Sequence, residues 1–292
     1  MGARIVMIST AERCACARSF LFVPGNRPER FEKATRSGAD AVVLDLEDSV
    51  PTEDKAAARD MIGSAWDALL REGVPLVVRV NALDTDELQH DLAWLVQLPT
   101  PAAVMLPKAD SAAALASVRD ALGGIPLLPI VESASGYLAL PSLAAVPGVL
   151  RLVVGHIDFM ADTGLQCDEV ETELAPLRFA VAMATRVHQL APAVDGVTVE
   201  IANEARLRGD VQRALRFGFG GKLCIHPRQV AVVHEELAPS ASELDWAHRV
   251  IAADAAAQGS AVQLDGRMVD RPVVLQAHRT LARGAGVGGS KP

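Results

Sequence analysis

No stretch of this chain approaches the ~20 consecutive apolar residues that a bilayer-spanning helix needs, although 50% of its residues are hydrophobic. The opening residues, MGARIVMISTAERCACARS, are too polar and too interrupted for a secretory leader's apolar core. Cysteine is scarce: Cys14, Cys16, Cys167 and Cys224 show no C-x-x-C pair and no disulfide density, so they read as free thiols of a reducing cytoplasm. The Cys14-Ala15-Cys16 pair offers only two thiolates near a terminus, too few for a metal site. Positive charge is also short, with 28 Lys and Arg against 36 Asp and Glu, a net charge of -8. Such an acidic chain excludes nucleic acid and anionic membrane as partners. Neither G-x-G-x-x-G nor G-x-x-x-x-G-K-[ST] follows an apolar run, which removes the phosphate-cradling signatures of dinucleotide and P-loop folds.

What the chain does have is alternation. Short β-rich runs at 19–24, 41–48, 75–81, 103–108, 126–133, 151–158, 192–198 and 222–227 are separated by segments with apolar residues at helical spacing, such as TEDKAAARDMIGSAWDALLRE. Strands joined by crossover helices form a parallel sheet. Eight such units within 292 residues predict an α/β fold, a closed (β/α)8 TIM barrel over about 19–236. Residues 1–18 are expected to be a flexible N-terminus. An extension over 237–283 should contain a helix capped by Ser240 or Ser242, a hairpin turning at Asp265-Gly266 and a last helix, with a disordered tail at 284–292.

The run LDLEDSV, 44–50, places Asp45, Glu47 and Asp48 directly after the apolar AVVL. Side chains alternate along a strand, so Val42, Leu44 and Leu46 should face the helices while Asp45 and Glu47 enter the barrel mouth. The same parity points Arg79 and Asn81 inward, leaves Lys108 at the rim, and turns Glu132 inward with Val131 outward. On the sixth strand it sends Val153 and Ile157 outward and His156 and Asp158 inward. These residues end their strands on the face where barrel enzymes carry their sites. Glu132 and Asp158 close consecutive strands, so they could share a divalent cation or be neutralised by Arg79 or Lys108; spacing leaves both open.

Several motifs in order, RSFLFVPGNRPERFEKATRSGADAVVLDLEDSV, VVRVN, VMLPKAD, PIVESASG, DGVTVEIAN, FGFGGKLCIHPRQV and APSASELDWAHRVIAA, resemble the citrate lyase β-subunit-like branch of the HpcH/HpaI aldolase superfamily, which includes malyl-CoA and citramalyl-CoA lyases. The resemblance runs from about Arg18 to Pro272. It implies that Glu132 and Asp158 ligate Mg²⁺, that Arg79 binds the oxygens of a 2-oxo acid, and that Phe22, Arg27 and Lys33 contact a CoA thioester. It further implies that Asp45, Glu47 and Lys108 order the metal's waters and Arg79. Asp270 is implied to reach the site of an adjacent subunit as a general acid, in a homo-oligomer built on threes. The sixth strand departs from the family's Gly, small residue, Glu, Asp pattern, reading Gly155-His156-Ile157-Asp158; His156 there is either a substrate-selecting or acid–base residue or a packed imidazole, the last being favoured. The implied activity is Mg²⁺-dependent cleavage or formation of a 3-hydroxyacyl-CoA thioester, yielding an acyl-CoA and a 2-oxo acid. The alternatives are a CoA-independent 2-oxo acid aldolase and a citrate lyase β subunit that needs an acyl-carrier partner.

Overall fold

The computed structural model describes residues 9–287. The chain forms two compact units, Met1–Val233 and His234–Pro292. In the first, eight parallel strands close into a barrel in sequence order: β1 (Ser19–Pro24), β2 (Ala41–Asp45), β3 (Leu76–Arg79), β4 (Ala103–Leu106), β5 (Leu127–Val131), β6 (Val153–Val154), β7 (Val194–Asp195) and β8 (Gly221–Cys224), with β8 pairing back onto β1. Helices α1 (Thr10–Cys16), α2 (Phe31–Thr35), α3 (Lys55–Arg71), α4 (Asp86–Leu95), α5 (Ala112–Ala121), α6 (Ala134–Ala144), α7 (His156–Thr163), α8 (Ala175–Val187), α9 (Glu204–Arg216) and α10 (Arg228–Leu237) accompany the strands. None of the described helices is long and apolar enough to cross a membrane.

The barrel interior is filled by alternate residues of every strand. Phe20, Ala41, Val43, Val77, Ala103, Met105, Leu128, Ile130, Val153, Val194 and Leu223 form one buried cluster, which is a packed core and not a channel. Counting two onward from Val43, Val77 and Ile130 reaches Asp45, Arg79 and Glu132, so these three continue the inward set toward the mouth. The register places Asp45 directly beside Arg79 across β2 and β3.

The opposite end is closed by α1, whose Cys14, together with Ala17 just beyond the helix, joins the interior cluster. Residues 9–18 are therefore ordered, contrary to the flexible N-terminus expected through 18; Ser9 and Glu12 form a reciprocal capping box that starts the helix. Residues 1–8 lie outside the described residues. The buried Arg151 guanidinium donates to the Cys14, Ala17 and Pro192 carbonyls and lies over the Phe20 ring.

Three local expectations do not hold. The strand expected over 151–158 is only Val153–Val154, and His156 opens α7. Gly155 sits so tightly on Glu132 that an added Cβ would lie 2.3 Å from its Oε2, and the chain turns there. Asp158 in the first helical turn and Gly164 as a left-handed C-cap, at φ 73°, are helix signals that the apolar–polar alternation masked. Val153 consequently packs inward, not outward. Asn81 lies past the end of β3 and points at α4, where its Nδ2 and backbone N donate to buried Asp91. β2 ends at Asp45, so Glu47 belongs to the following loop, yet it remains buried.

The second unit contains α11 (Ala241–Ala256), an antiparallel hairpin of β9 (Val262–Leu264) and β10 (Arg267–Val269), and α12 (Arg271–Val287). Ser240 caps α11 in a capping box with Glu243. Asp265 and Gly266 both take positive φ at the turn, 50° and 76°, as a two-residue type I′ hairpin demands. Ala247, Val250, Val269, Val274 and Ala277 make its small core. The last helix runs to Val287, past the tail start expected at 284; residues 288–292 lie outside the described residues.

Arg151→Ala removes three hydrogen bonds to buried carbonyls and the packing on Phe20. It should cost about 3 kcal/mol, read as a fall of about 6–12 °C in Tm; an unchanged Tm would show that the α1 closure contributes nothing to stability.

Candidate active site

A cavity of about 230 Å³ opens at the carboxyl ends of the strands, lined by Phe22, Asp45, Arg79, Glu132, His156 and Asp158 among others. Arg79 is held from two sides. Its Nε and Nη2 donate to the Asp45 oxygens at 2.6 and 2.7 Å, and its Nη1 pairs with Glu47 Oε2 at 2.8 Å. Its guanidinium also stacks 4.8 Å from the centroid of the Phe22 ring. A guanidinium gripped in this way is a fixed charge, with little rotamer freedom left to lose when an anion arrives.

The loop after β2 is built to hold this pair. Asp45 also accepts the Glu47 and Ser49 backbone N–H groups at 3.0 and 3.3 Å. Lys55 Nζ, from the start of α3, donates to the Leu46 and Glu47 carbonyls at 2.8 and 3.1 Å. Burial would raise Asp45, but the charge and hydrogen bonds of Arg79 outweigh it and hold the carboxyl below the usual aspartate range. Glu47 is different: burial pushes it up, against the pull of Arg79 and Lys108.

Lys108, in a left-handed backbone conformation at φ 50°, connects two carboxylates. Its Nζ lies 3.2 Å from Glu47 Oε1 and its backbone N–H donates to Glu132 Oε1 at 2.7 Å. Burial, the largest single effect, would depress the lysine, but the charge and hydrogen bond of Glu47 with the charges of Asp48 and Glu132 together outweigh it and raise its pKa, the opposite of the lowered amine a Schiff-base nucleophile needs.

Glu132 and Asp158 behave unlike the other acids of the mouth. Among the described residues neither forms an ion pair. Burial, reinforced by the negative charges of Asp158 and Glu47, pushes Glu132 up to about 8. The two alternatives left open by spacing therefore separate: Arg79 and Lys108 serve Asp45 and Glu47, while Glu132 and Asp158 face the cavity without a cation. Asp158 reaches it from the first turn of α7 and not from a strand end. No cluster of three or more His, Cys, Asp or Glu among the described residues is placed to hold a metal. Two carboxylates with room for water and ligand oxygens are nevertheless a donor set suited to a hard divalent ion.

Other expected residues are placed elsewhere. Arg27 is half exposed and paired with Glu29 at 2.7 Å, and Lys33 is exposed on α2; neither lines the cavity. Asp270 belongs to the second unit, where its Oδ1 accepts the Val273 N–H at the start of α12. His156 is buried, its Nδ1 has no hydrogen-bond partner, and burial lowers its pKa, leaving a neutral imidazole. Gly196 faces it so closely that an added Cβ would come within 2.2 Å of Nδ1.

Behind His156 lies an ionic network that sequence reasoning missed. Arg178 bridges Asp195 at 3.0 Å and Glu171 at 2.6 Å, and Glu171 also takes Arg206 and Arg213. Lys222 Nζ donates to the Gly196 carbonyl. These residues come from β7, β8, α8, α9 and a loop, so no local spacing announces them.

Residues 18–227 match the model of the HpcH/HpaI aldolase/citrate lyase family. A citrate lyase subunit beta-like protein of Deinococcus radiodurans is 36% identical over 282 residues, covering 93% of this chain and 98% of its own. A (3S)-malyl-CoA thioesterase of Cereibacter sphaeroides is 32% identical over 277 residues, with 91% and 94% covered. Among solved structures, the protein CitE from Mycobacterium tuberculosis in complex with magnesium, acetoacetate and coenzyme A superposes with a TM-score of 0.79 at 32% identity, covering 93% of this chain and 99% of that one. With the barrel, the order of the motifs and these likenesses in agreement, the chain belongs to the HpcH/HpaI aldolase/citrate lyase family.

Proposed function

We propose that this protein is a Mg²⁺-dependent carbon–carbon lyase that cleaves or forms a 3-hydroxyacyl-CoA thioester of the malyl-CoA or citramalyl-CoA type, giving an acyl-CoA and a 2-oxo acid. Family membership makes the chain a lyase. The observation that carries the metal reading is the absence of any ion pair to Glu132 and Asp158 among the described residues, in a mouth where Asp45 and Glu47 both have cations. Magnesium in the M. tuberculosis relative, together with acetoacetate and coenzyme A, supports the same reading.

Glu132 and Asp158 would hold the ion, which supplies Lewis-acid polarisation of the substrate oxygen that becomes the ketone. Arg79, already oriented by Asp45 and Glu47, would present its remaining N–H groups to the oxo-acid oxygens. Such a preorganised charge needs no reorientation as negative charge develops. Lys108 would keep Glu132 Oε1 occupied through its backbone N–H, leaving Oε2 for the ion. Phe22 would shield Arg79 from water. Arg27 and Lys33, exposed on the segment after β1, would meet the phosphates of coenzyme A, and Asp270 of an adjacent subunit would protonate the departing thioester enolate. A homo-oligomer, a trimer or hexamer, and a cytoplasmic setting for the free thiols complete the reading.

Glu132→Gln should abolish Mg²⁺ binding in calorimetry together with turnover of hydroxyacyl-CoA thioesters. Asp270→Asn should keep Mg²⁺ binding and lower kcat by about 10²–10⁴-fold. Full turnover in either variant contradicts that residue's role. Acetyl-CoA should bind the wild type in titration; no binding would favour the CoA-independent aldolase.

The raised Glu132 carboxyl sets a pH dependence. Its folded pKa, about 8, lies above the ordinary 4.5, so the metal-free fold loses stability as pH rises through that window. Mg²⁺ must displace the proton, so affinity should weaken as pH falls below about 8, approaching about tenfold per unit. Calorimetry in buffers of different ionisation enthalpy should report proton release near neutral pH; an affinity constant between pH 6 and 8 would contradict this.

A further inference from the structure

One wall of the mouth is mostly apolar and holds a single side-chain hydrogen-bond donor. From β6 round to β8 the cavity side chains are Val154, Ile157, Val197, Leu223 and Ile225, interrupted by Asp158 and His156. Parity sends Ile157 outward from a strand, but the chain turns at Gly155 and α7 starts at His156, so Ile157 stands at the mouth. The other donors among the lining side chains, Ser49 and Arg79, stand on the β2–β3 side, both bonded to Asp45 through N–H groups. In strand order Arg79 and His156 lie on either side of the Glu132–Asp158 pair: Arg79 ends β3, and His156 leans on Gly196, just past β7.

The surroundings of His156 decide which nitrogen it offers. The residue is 5% exposed, and its Nδ1 is buried without a hydrogen-bond partner. Gly196 closes on the Nδ1–Cε1 edge, where an added Cβ would lie 2.2 and 2.9 Å from those two atoms. Asp195 Oδ2 is also without a hydrogen-bond partner, so that oxygen accepts nothing from the imidazole. Nε2 is not walled off in this way and is the ring nitrogen left to the cavity. A buried N–H with nothing to donate to is rarer than a bare acceptor lone pair. Lys222, whose Nζ donates to the Gly196 carbonyl, adds a positive charge that disfavours a proton on the ring's Gly196 side. The one proton of this neutral imidazole therefore sits on Nε2.

Breaking the carbon–carbon bond sends its electron pair into the thioester, whose oxygen becomes an enolate oxygen. The substrate hydroxyl becomes the ketone and releases its proton to solvent at the open mouth, and the enolate carbon takes one from the general acid. Arg79 and the ion serve the oxo-acid half, so the charge arriving on the thioester oxygen needs another donor. A neutral imidazole can stabilise such an oxygen without giving up its proton. We propose that His156 is a catalytic residue of this lyase, its Nε2–H donating a hydrogen bond to the thioester oxygen as negative charge moves onto it. The proposal rests on the lyase reading and adds a residue to it.

The test compares His156→Leu, which keeps bulk without a donor, with His156→Gln, whose side-chain N–H reaches about as far as Nε2. On a hydroxyacyl-CoA thioester at saturating Mg²⁺, His156→Leu should lower kcat by about 10²–10³-fold, with KM and the calorimetric Mg²⁺ affinity within a few-fold of wild type. His156→Gln should recover most of the loss. Full kcat in His156→Leu, or His156→Gln no faster than His156→Leu, overturns the donor and leaves the lyase reading standing. A wild type that cleaves no hydroxyacyl-CoA overturns both. Nitrogen-15 NMR of the wild type decides the matter even where a variant does not fold. It should show Nε2 protonated and Nδ1 bare, with the Nε2–H proton moving downfield on saturation with acetyl-CoA; a proton on Nδ1, or an Nε2–H resonance that acetyl-CoA leaves in place, overturns the proposal.

Discussion

Four carboxylates and two basic side chains meet at the mouth of this barrel, and the mismatch between them organises the site. Asp45 and Arg79 are register partners on adjacent strands, so backbone pairing itself brings them within hydrogen-bond distance. Arg79 is committed to Asp45 and Glu47, and Lys108 to Glu47, and among the described residues no arginine or lysine forms an ion pair with Glu132 or Asp158. Glu132 responds as a desolvated acid next to other acids must, by holding its proton. A divalent ion would release that proton and balance the mouth together. Arg79 gains its fixed orientation from the same arrangement, so the acids that exhaust its charge also aim it.

The surrounding fold keeps these groups from relaxing. Lys55 ties the loop after β2 to α3, and the Asp45 carboxylate accepts two backbone N–H groups of that loop. Gly155 and Gly196 let two backbones approach where any side chain would collide with Glu132 or His156. The ion network around Glu171, Arg178 and Asp195 braces the loops after β6 and β7. Glu171 takes a left-handed conformation, φ 54°, that its three arginine partners hold in place. Truncating one member of such a buried network leaves another charge unpaired, which costs more than the pair itself contributes.

Much of this was legible in the sequence where a strand runs far enough for its alternation to be read. Asp45, Arg79 and Glu132 continue the inward sets of β2, β3 and β5, and parity found all three. It failed at β6 because two residues of strand carry no periodicity, so Val153 and Ile157 were turned the wrong way. It failed at Asn81 because the strand had already ended, and a side chain beyond a strand answers to its neighbours, here Asp91. The order of α1 was hidden because its anchor, Arg151, lies more than 130 positions away. The long-range ion network was equally invisible, since its members share a neighbourhood only after the barrel closes.

The central claim is that Glu132 and Asp158 together grip one divalent ion at the barrel mouth. A crystal structure grown with Mn²⁺ in place of Mg²⁺ tests it directly through the anomalous signal of the metal. The account requires a single peak bonded to both carboxylates, with the remaining positions open to water or ligand oxygen. Peaks found only elsewhere, with the two side chains turned from each other, would contradict it.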